Sequence, residues 1–156
     1  ATTDKKEMPA YKESAADKKL TGSFESNRGK LPVPVTGPYL LTSRYGINYV
    51  EGLKNVKFNN HGVDVRGQEG CSARAVFDGT VSFIFEHSGN YIVMVRHGQY
   101  ISAYFNLATL KVKKGDKVKI HQSLGTVAAD ASGNHTMQFQ LRKDTQSLNP
   151  ELWISF

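Results

Sequence analysis

The sequence has a single cysteine, Cys71, in 156 residues. An internal disulfide is therefore excluded, and cysteine usage speaks neither for nor against an oxidising compartment. Cys71 stands between Gly70 and Ser72 with no base near it in sequence to hold a thiolate, so it reads as a structural thiol. No apolar run approaches the roughly 18 residues of a membrane span, and the first residues lack the apolar core of a signal peptide. The chain is expected to be soluble as it stands, a mature or trimmed form of something longer. Also missing is any block of five or six like charges. The net charge of +6 is spread, which permits a polyanionic partner without indicating one, and no nucleic-acid partner is assigned. The oligomeric state is left open.

What is present supports one domain with a core, since 39% of the residues are hydrophobic. Residues 1–30 differ from the rest, being rich in Lys, Glu, Asp, Ala and Ser with few large apolar residues to bury. They read as a leader or linker, the end of a possible helical arm. The piece YKESAADKKL suits a short helix, but Glu and Lys at helical spacing give only about 0.2–0.5 kcal/mol per pair, too little to hold it without a partner.

Residues 31–156 have another texture. Pro32, Pro34 and Pro38 in LPVPVTGPY enforce extended backbone. Short β-type runs follow: YLLTSRYG, NNHGVDV, SARAVFDGTVSFIF, NYIVMVRHG, QYISAYFNL, KVKKGDKV, SLGTVAAD and TMQFQLRK. No sustained period of 3.6 appears. Asp78-Gly79 and His97-Gly98 suit hairpin turns. The expectation is an all-β antiparallel sandwich of about eight to ten strands, with a short helical or irregular leader.

Strand alternation sorts the polar residues. If NNHGVDV is one strand, Asn60, Gly62 and Asp64 share a face, while His61, Val63 and Val65 lie on the other. His61 and Asp64 then cannot share an ion. In NHTMQFQLR, Thr136, Gln138 and Gln140 lie opposite His135, Met137, Phe139 and Leu141, and the polar face should be exposed.

Three stretches, HGVDVRGQEGCSARAVFDGTVSFIF, NYIVMVRHGQYISAYFNLATLKVKKGDKVKIHQSLGTV and TMQFQLRK with LNPELWI, together resemble the lysostaphin/LytM-type zinc endopeptidase domain, which cleaves bacterial peptidoglycan cross-links. In its active members a His, an Asp four residues later and the second His of a His-x-His pair bind zinc. The first His of that pair and another in Tyr-x-His-Leu assist the chemistry. The resemblance places the metal positions on Asn60, Asp64 and Gln138. It places the catalytic ones on Thr136 and on Asn106, in Tyr104-Phe105-Asn106-Leu107. Four of the five are changed and only Asp64 keeps the family's residue. A hydrolytic zinc site needs about three strong ligands and an open water position, so neither a metal nor a cofactor is expected.

The resemblance implies a degenerate domain like those of EnvC-type murein hydrolase activators. Its former substrate groove, lined by Asn60, Asp64, Asn106, Thr136 and Gln138 with Arg44 and Tyr45 beside them, binds a regulatory segment of an N-acetylmuramoyl-L-alanine amidase or another murein hydrolase. It also implies the cell envelope, on the periplasmic side. Three alternatives stay open: a zinc peptidase that recruits His61 and His135 through β-bulges, a non-enzymatic domain that binds the peptidoglycan itself, and a biotinyl or lipoyl carrier. The carrier ranks last because no modifiable lysine sits at a hairpin tip. His97 reads as a packed turn residue, His87 and His121 as surface, and Trp153 as closing the core.

Overall fold

The computed structural model describes residues 14–49, 52–53 and 55–156. Among them the β-type runs form twelve strands: β1 (Leu40–Ser43), β2 (Gly46–Tyr49), β3 (Lys57–Asn60), β4 (Val63–Gly67), β5 (Ser72–Arg74), β6 (Gly79–His87), β7 (Asn90–His97), β8 (Tyr100–Leu107), β9 (Lys117–Val118), β10 (Ser123–Thr126), β11 (His135–Lys143) and β12 (Gln146–Leu148). One antiparallel sheet runs in the order β1-β4-β11-β8-β7-β6-β9, and β12 pairs with the end of β11. Two small sheets join β10 to β5 and β2 to β3.

Alternation decides what each face of the large sheet does. Val63, Val65, Val81, Val93, Val95, Tyr104, Met137, Phe139 and Leu141 point one way and are at most 1% exposed. The layer covering them comes from Ala73 and Leu124 of the small β5–β10 sheet and from an extended segment. That segment, kept straight by Pro32 and Pro34, bridges Leu31 to Ile154 and Val35 to Ala73. The architecture is the all-β antiparallel sandwich expected from the sequence.

The leader contributes to this layer. Ser14 and Asp17 form a capping box that starts α1 (Ala15–Ser26), a helix that begins later and runs further than YKESAADKKL suggested. The start of that stretch lies outside the described residues. Phe24, in the segment expected to bury little, is fully buried and packs against Phe77, His97, Tyr100 and Trp153 at ring-centroid distances of 4.7–5.6 Å. Gly98, with φ of +72°, sits so close to the helix that a Cβ there would lie 2.8 Å from the Asp17 carbonyl oxygen. Only glycine fits there.

Two turn expectations separate. His97-Gly98 does turn β7 into β8, as read. Asp78-Gly79 does not make a hairpin, because β5 pairs with β10 and β6 with β7 and β9. The glycine is required there for proximity: its Cβ would lie 2.5 Å from the Arg96 carbonyl oxygen and 2.8 Å from His97 Nδ1.

His97 is fully buried, with Nδ1 2.7 Å from the Asp78 carbonyl oxygen and Nε2 2.8 Å from Ser102 Oγ. A carbonyl only accepts, so the ring proton sits on Nδ1. Burial pushes its pKa down to about 4.

Candidate functional site

The site lies on the other face of the large sheet. NNHGVDV is not one strand as the sequence suggested: β3 ends at Asn60, the chain bends at His61-Gly62, and β4 begins at Val63. The cause is tertiary. A Cβ on Gly62 would lie 2.1 Å from the Phe139 carbonyl oxygen, so the backbone there rests directly on β11. The bend still brings Asn60 back over Asp64.

Register then assembles the rest. Asp64 of β4 faces Ser43 of β1 on one side and Gln138 of β11 on the other, and Gln138 in turn faces Phe105 of β8. Gln138 Nε2 donates to Asn60 Oδ1 over 2.8 Å, and the Gly62 N–H donates to the same oxygen over 3.1 Å. Asn60 is 4% exposed, and its Nδ2, though near enough to act on Asp64, makes no well-formed hydrogen bond. A relay continues along β11: Arg142 Nη2 donates to Gln140 Oε1 (2.9 Å), and Gln140 Nε2 donates to Gln138 Oε1 (3.1 Å). Asp64 lies beside this relay. Burial raises its carboxyl above the usual carboxylate range, while the Ser43 and Asn60 side chains pull it back in part.

The other candidates are placed differently. Asn106 has a left-handed backbone, with φ of +75°. Its amide is committed on both sides: Oδ1 accepts from Asn90 Nδ2 (2.8 Å), and Nδ2 donates to the Thr136 carbonyl oxygen (2.7 Å). Thr136 is thus joined to Asn106 through its backbone. Arg44 and Tyr45 connect β1 to β2, and their polar contacts lead away from Asp64. Arg44 is within 3.6 Å of Glu151, the Tyr45 hydroxyl is 2.8 Å from Ser147 Oγ, and the Tyr45 N–H donates to Glu151. His61 is exposed, and His135 is half-buried with Nδ1 3.1 Å from the Val127 carbonyl oxygen. His87 and His121 are exposed. Cys71 is buried, and burial raises its thiol pKa. Trp153 is buried against Phe24 and Tyr100, closing the core as expected.

Zinc does not fit this donor set. Asn60, Asp64 and Gln138 do converge, but they offer one carboxylate and two neutral amides, and the amides already bind each other. Among the described residues no three His, Cys, Asp or Glu side chains stand close enough to hold a metal ion. Asn106 and Thr136 have no group that titrates near neutral pH to move a proton. The arrangement is suited to hydrogen bonding with a bound chain.

Sequence reasoning missed the partners Ser43, Asn90 and Arg142. Arg142 was available by parity, four residues from Gln138 on the same face. The polar face was expected to be exposed, yet Gln140 is 8% exposed, because the chain at Gly62 packs over it.

Residues 58–150 match peptidase family M23. The murein hydrolase activator EnvC of Escherichia coli K12 is 29% identical over 150 residues, covering 92% of this chain and 34% of that protein. The murein hydrolase activator NlpD of Salmonella dublin is 29% identical over 104 residues, covering 65% of this chain and 28% of that protein. The chain thus spans about a third or less of these relatives' length. Among solved structures, a mutant catalytic domain of the prophage-encoded M23 protein EnpA from Enterococcus faecalis superposes with a TM-score of 0.62 at 26% identity, covering 78% of this chain and 95% of that one.

Proposed function

Since this chain belongs to peptidase family M23, we propose that it is a non-catalytic regulator of peptidoglycan hydrolysis, which binds a regulatory segment of an N-acetylmuramoyl-L-alanine amidase in the former substrate groove and activates it. The observation that carries this reading is the 2.8 Å bond between Gln138 and Asn60. The two positions that the resemblance matches to zinc ligands instead bind each other, leaving Asp64 with no second strong ligand. A groove without a metal keeps its shape and its amide donors and acceptors. Such a surface suits a peptide or helix, with apolar anchors supplying most of the affinity.

The names of the curated relatives support the same direction, and the proposed setting is the cell envelope, facing the periplasm. The experiment is a release assay on purified peptidoglycan. The chain alone is expected to release nothing, with or without added zinc, and to stimulate a cognate amidase several-fold. Hydrolysis by the isolated chain that a chelator abolishes overturns this reading.

A further inference from the structure

The open face of the large sheet continues past the polar groove onto β6, β7 and β8, and there its chemistry changes. Cross-strand register sets it out in rows. Arg96, Ile101 and Arg142 lie side by side on β7, β8 and β11. Phe83, Met94, Ala103 and Gln140 form the next row, and Phe85 lies opposite Ile92 beyond it. Phe83, Phe85, Met94, Ile101 and Ala103 line one depression of about 540 Å³, walled by Arg96 and Arg142. Phe83 and Phe85 stack at 5.7 Å, and Phe85 remains 44% exposed. Lys114 Nζ lies 4.8 Å from the centre of the Phe83 ring, adding a third cation at the rim, while Asp144 is the acidic residue of the lining.

We propose that this depression is a second docking surface, which takes an amphipathic helix whose apolar stripe is flanked by Asp or Glu. The proposal gives the same partner a second contact, apart from the segment held in the polar groove, and rests on that reading for the partner's identity. Three considerations favour this occupant. Neighbouring strands are about 4.8 Å apart, so a floor of three to four strands is about as wide as the 10–12 Å diameter of a helix. Ile101 lies between the two arginines in one row, and Phe83, Met94 and Ala103 fill the next, so a helix laid here meets carbon along its apolar face and cations along one margin. Lys114 and the chain's net charge of +6 extend that preference for an acidic ligand. The arginines are also set in place, since Arg142 donates to Gln140 and Arg96 Nη1 donates to the Gly98 carbonyl oxygen.

The test uses two synthetic amphipathic helices of equal apolar content, one flanked by Glu and one by Lys, titrated against the full chain at low and physiological salt. Purified peptidoglycan serves as a third ligand. The Glu helix is expected to bind and the Lys helix at least tenfold more weakly, with Glu-helix binding falling as salt rises. Phe85→Glu and Met94→Glu are each expected to weaken it at least tenfold without shifting the melting temperature, and the pair R96E/R142E to reverse the preference. Equal binding of both helices, no binding of either, or full binding by Phe85→Glu overturns the proposal. Retention on peptidoglycan that Phe85→Glu abolishes, without helix binding, overturns it in favour of a glycan surface. If the chain stimulates an amidase and these variants do so equally, the second surface fails and the proposed function stands. If no amidase is stimulated but the Glu helix binds here, the proposed function fails and the surface stands.

Discussion

Gln138 Nε2 lies 2.8 Å from Asn60 Oδ1, beside the Asp64 carboxylate, which faces Gln138 across β4 and β11. The two amides occupy positions where imidazoles would complete a three-ligand set. Asn60→His with Gln138→His is therefore expected to create a zinc site in this fold. Elemental analysis should find about one zinc per chain in the double variant, none in the wild type, and none when Asp64→Ala is added. Hydrolysis is not expected to return with the metal alone, because Asn106 and Thr136 still offer no group that titrates near pH 7.

Gly62 rests on the Phe139 carbonyl oxygen with no room for a methyl group. Gly62→Ala is expected to cost about 2–3 kcal/mol, read as a fall in melting temperature of roughly 5–10 °C. The exposed neighbour gives the control: His61→Ala should leave the melting temperature within about 1 °C.

His97 is held neutral, with its pKa lowered to about 4. The unfolded chain binds a proton near pH 6.5 that the folded chain refuses, so stability present above pH 6.5 is lost as pH falls towards 4, by about 3 kcal/mol at the limit. Asp64, whose pKa burial raises, acts in the opposite sense, contributing stability at low pH that is lost as pH rises through its titration. Urea titrations between pH 7 and 4 in an Asp64→Asn background should isolate the His97 slope. A flat profile in that window counts against a buried neutral ring.

The division of the chain at residue 30 has its own test. Phe24→Ala removes a fully buried ring packed against four others and is expected to destabilise the domain by about 3–5 kcal/mol in denaturant unfolding. No loss of stability would mean that residues 1–30 are a leader the domain does not need.

Much of the sheet was written in local pattern. Met137, Phe139 and Leu141 alternate with Gln138 and Gln140, and that period alone put the apolar residues in the core and Gln138 towards the site. What stayed hidden came from contacts distant in sequence. The bend after Asn60 is imposed by a carbonyl group on β11, and Gly79 is needed because Arg96 and His97 crowd it, not because the chain turns back there. Phe24 gave no periodic signal, since one aromatic in a polar segment looks alike whether it is exposed or stacked on Tyr100. The resemblance singled out Asn106, but its double commitment to Asn90 and Thr136 was not legible, because it depends on where β7 and β11 begin.

The seat of α1 on the β7–β8 turn carries a mechanical consequence. Gln99 N–H donates to Thr21 Oγ1, and Gly98 leaves no slack beneath the helix, so α1 meets the sheet as a keyed joint. The joint lies at the root of β8. That strand carries Ile101 and Ala103 at its near end and Phe105 beside Gln138 further along. A displacement of α1 would therefore bear on the strand that lies beneath both stretches of the open face.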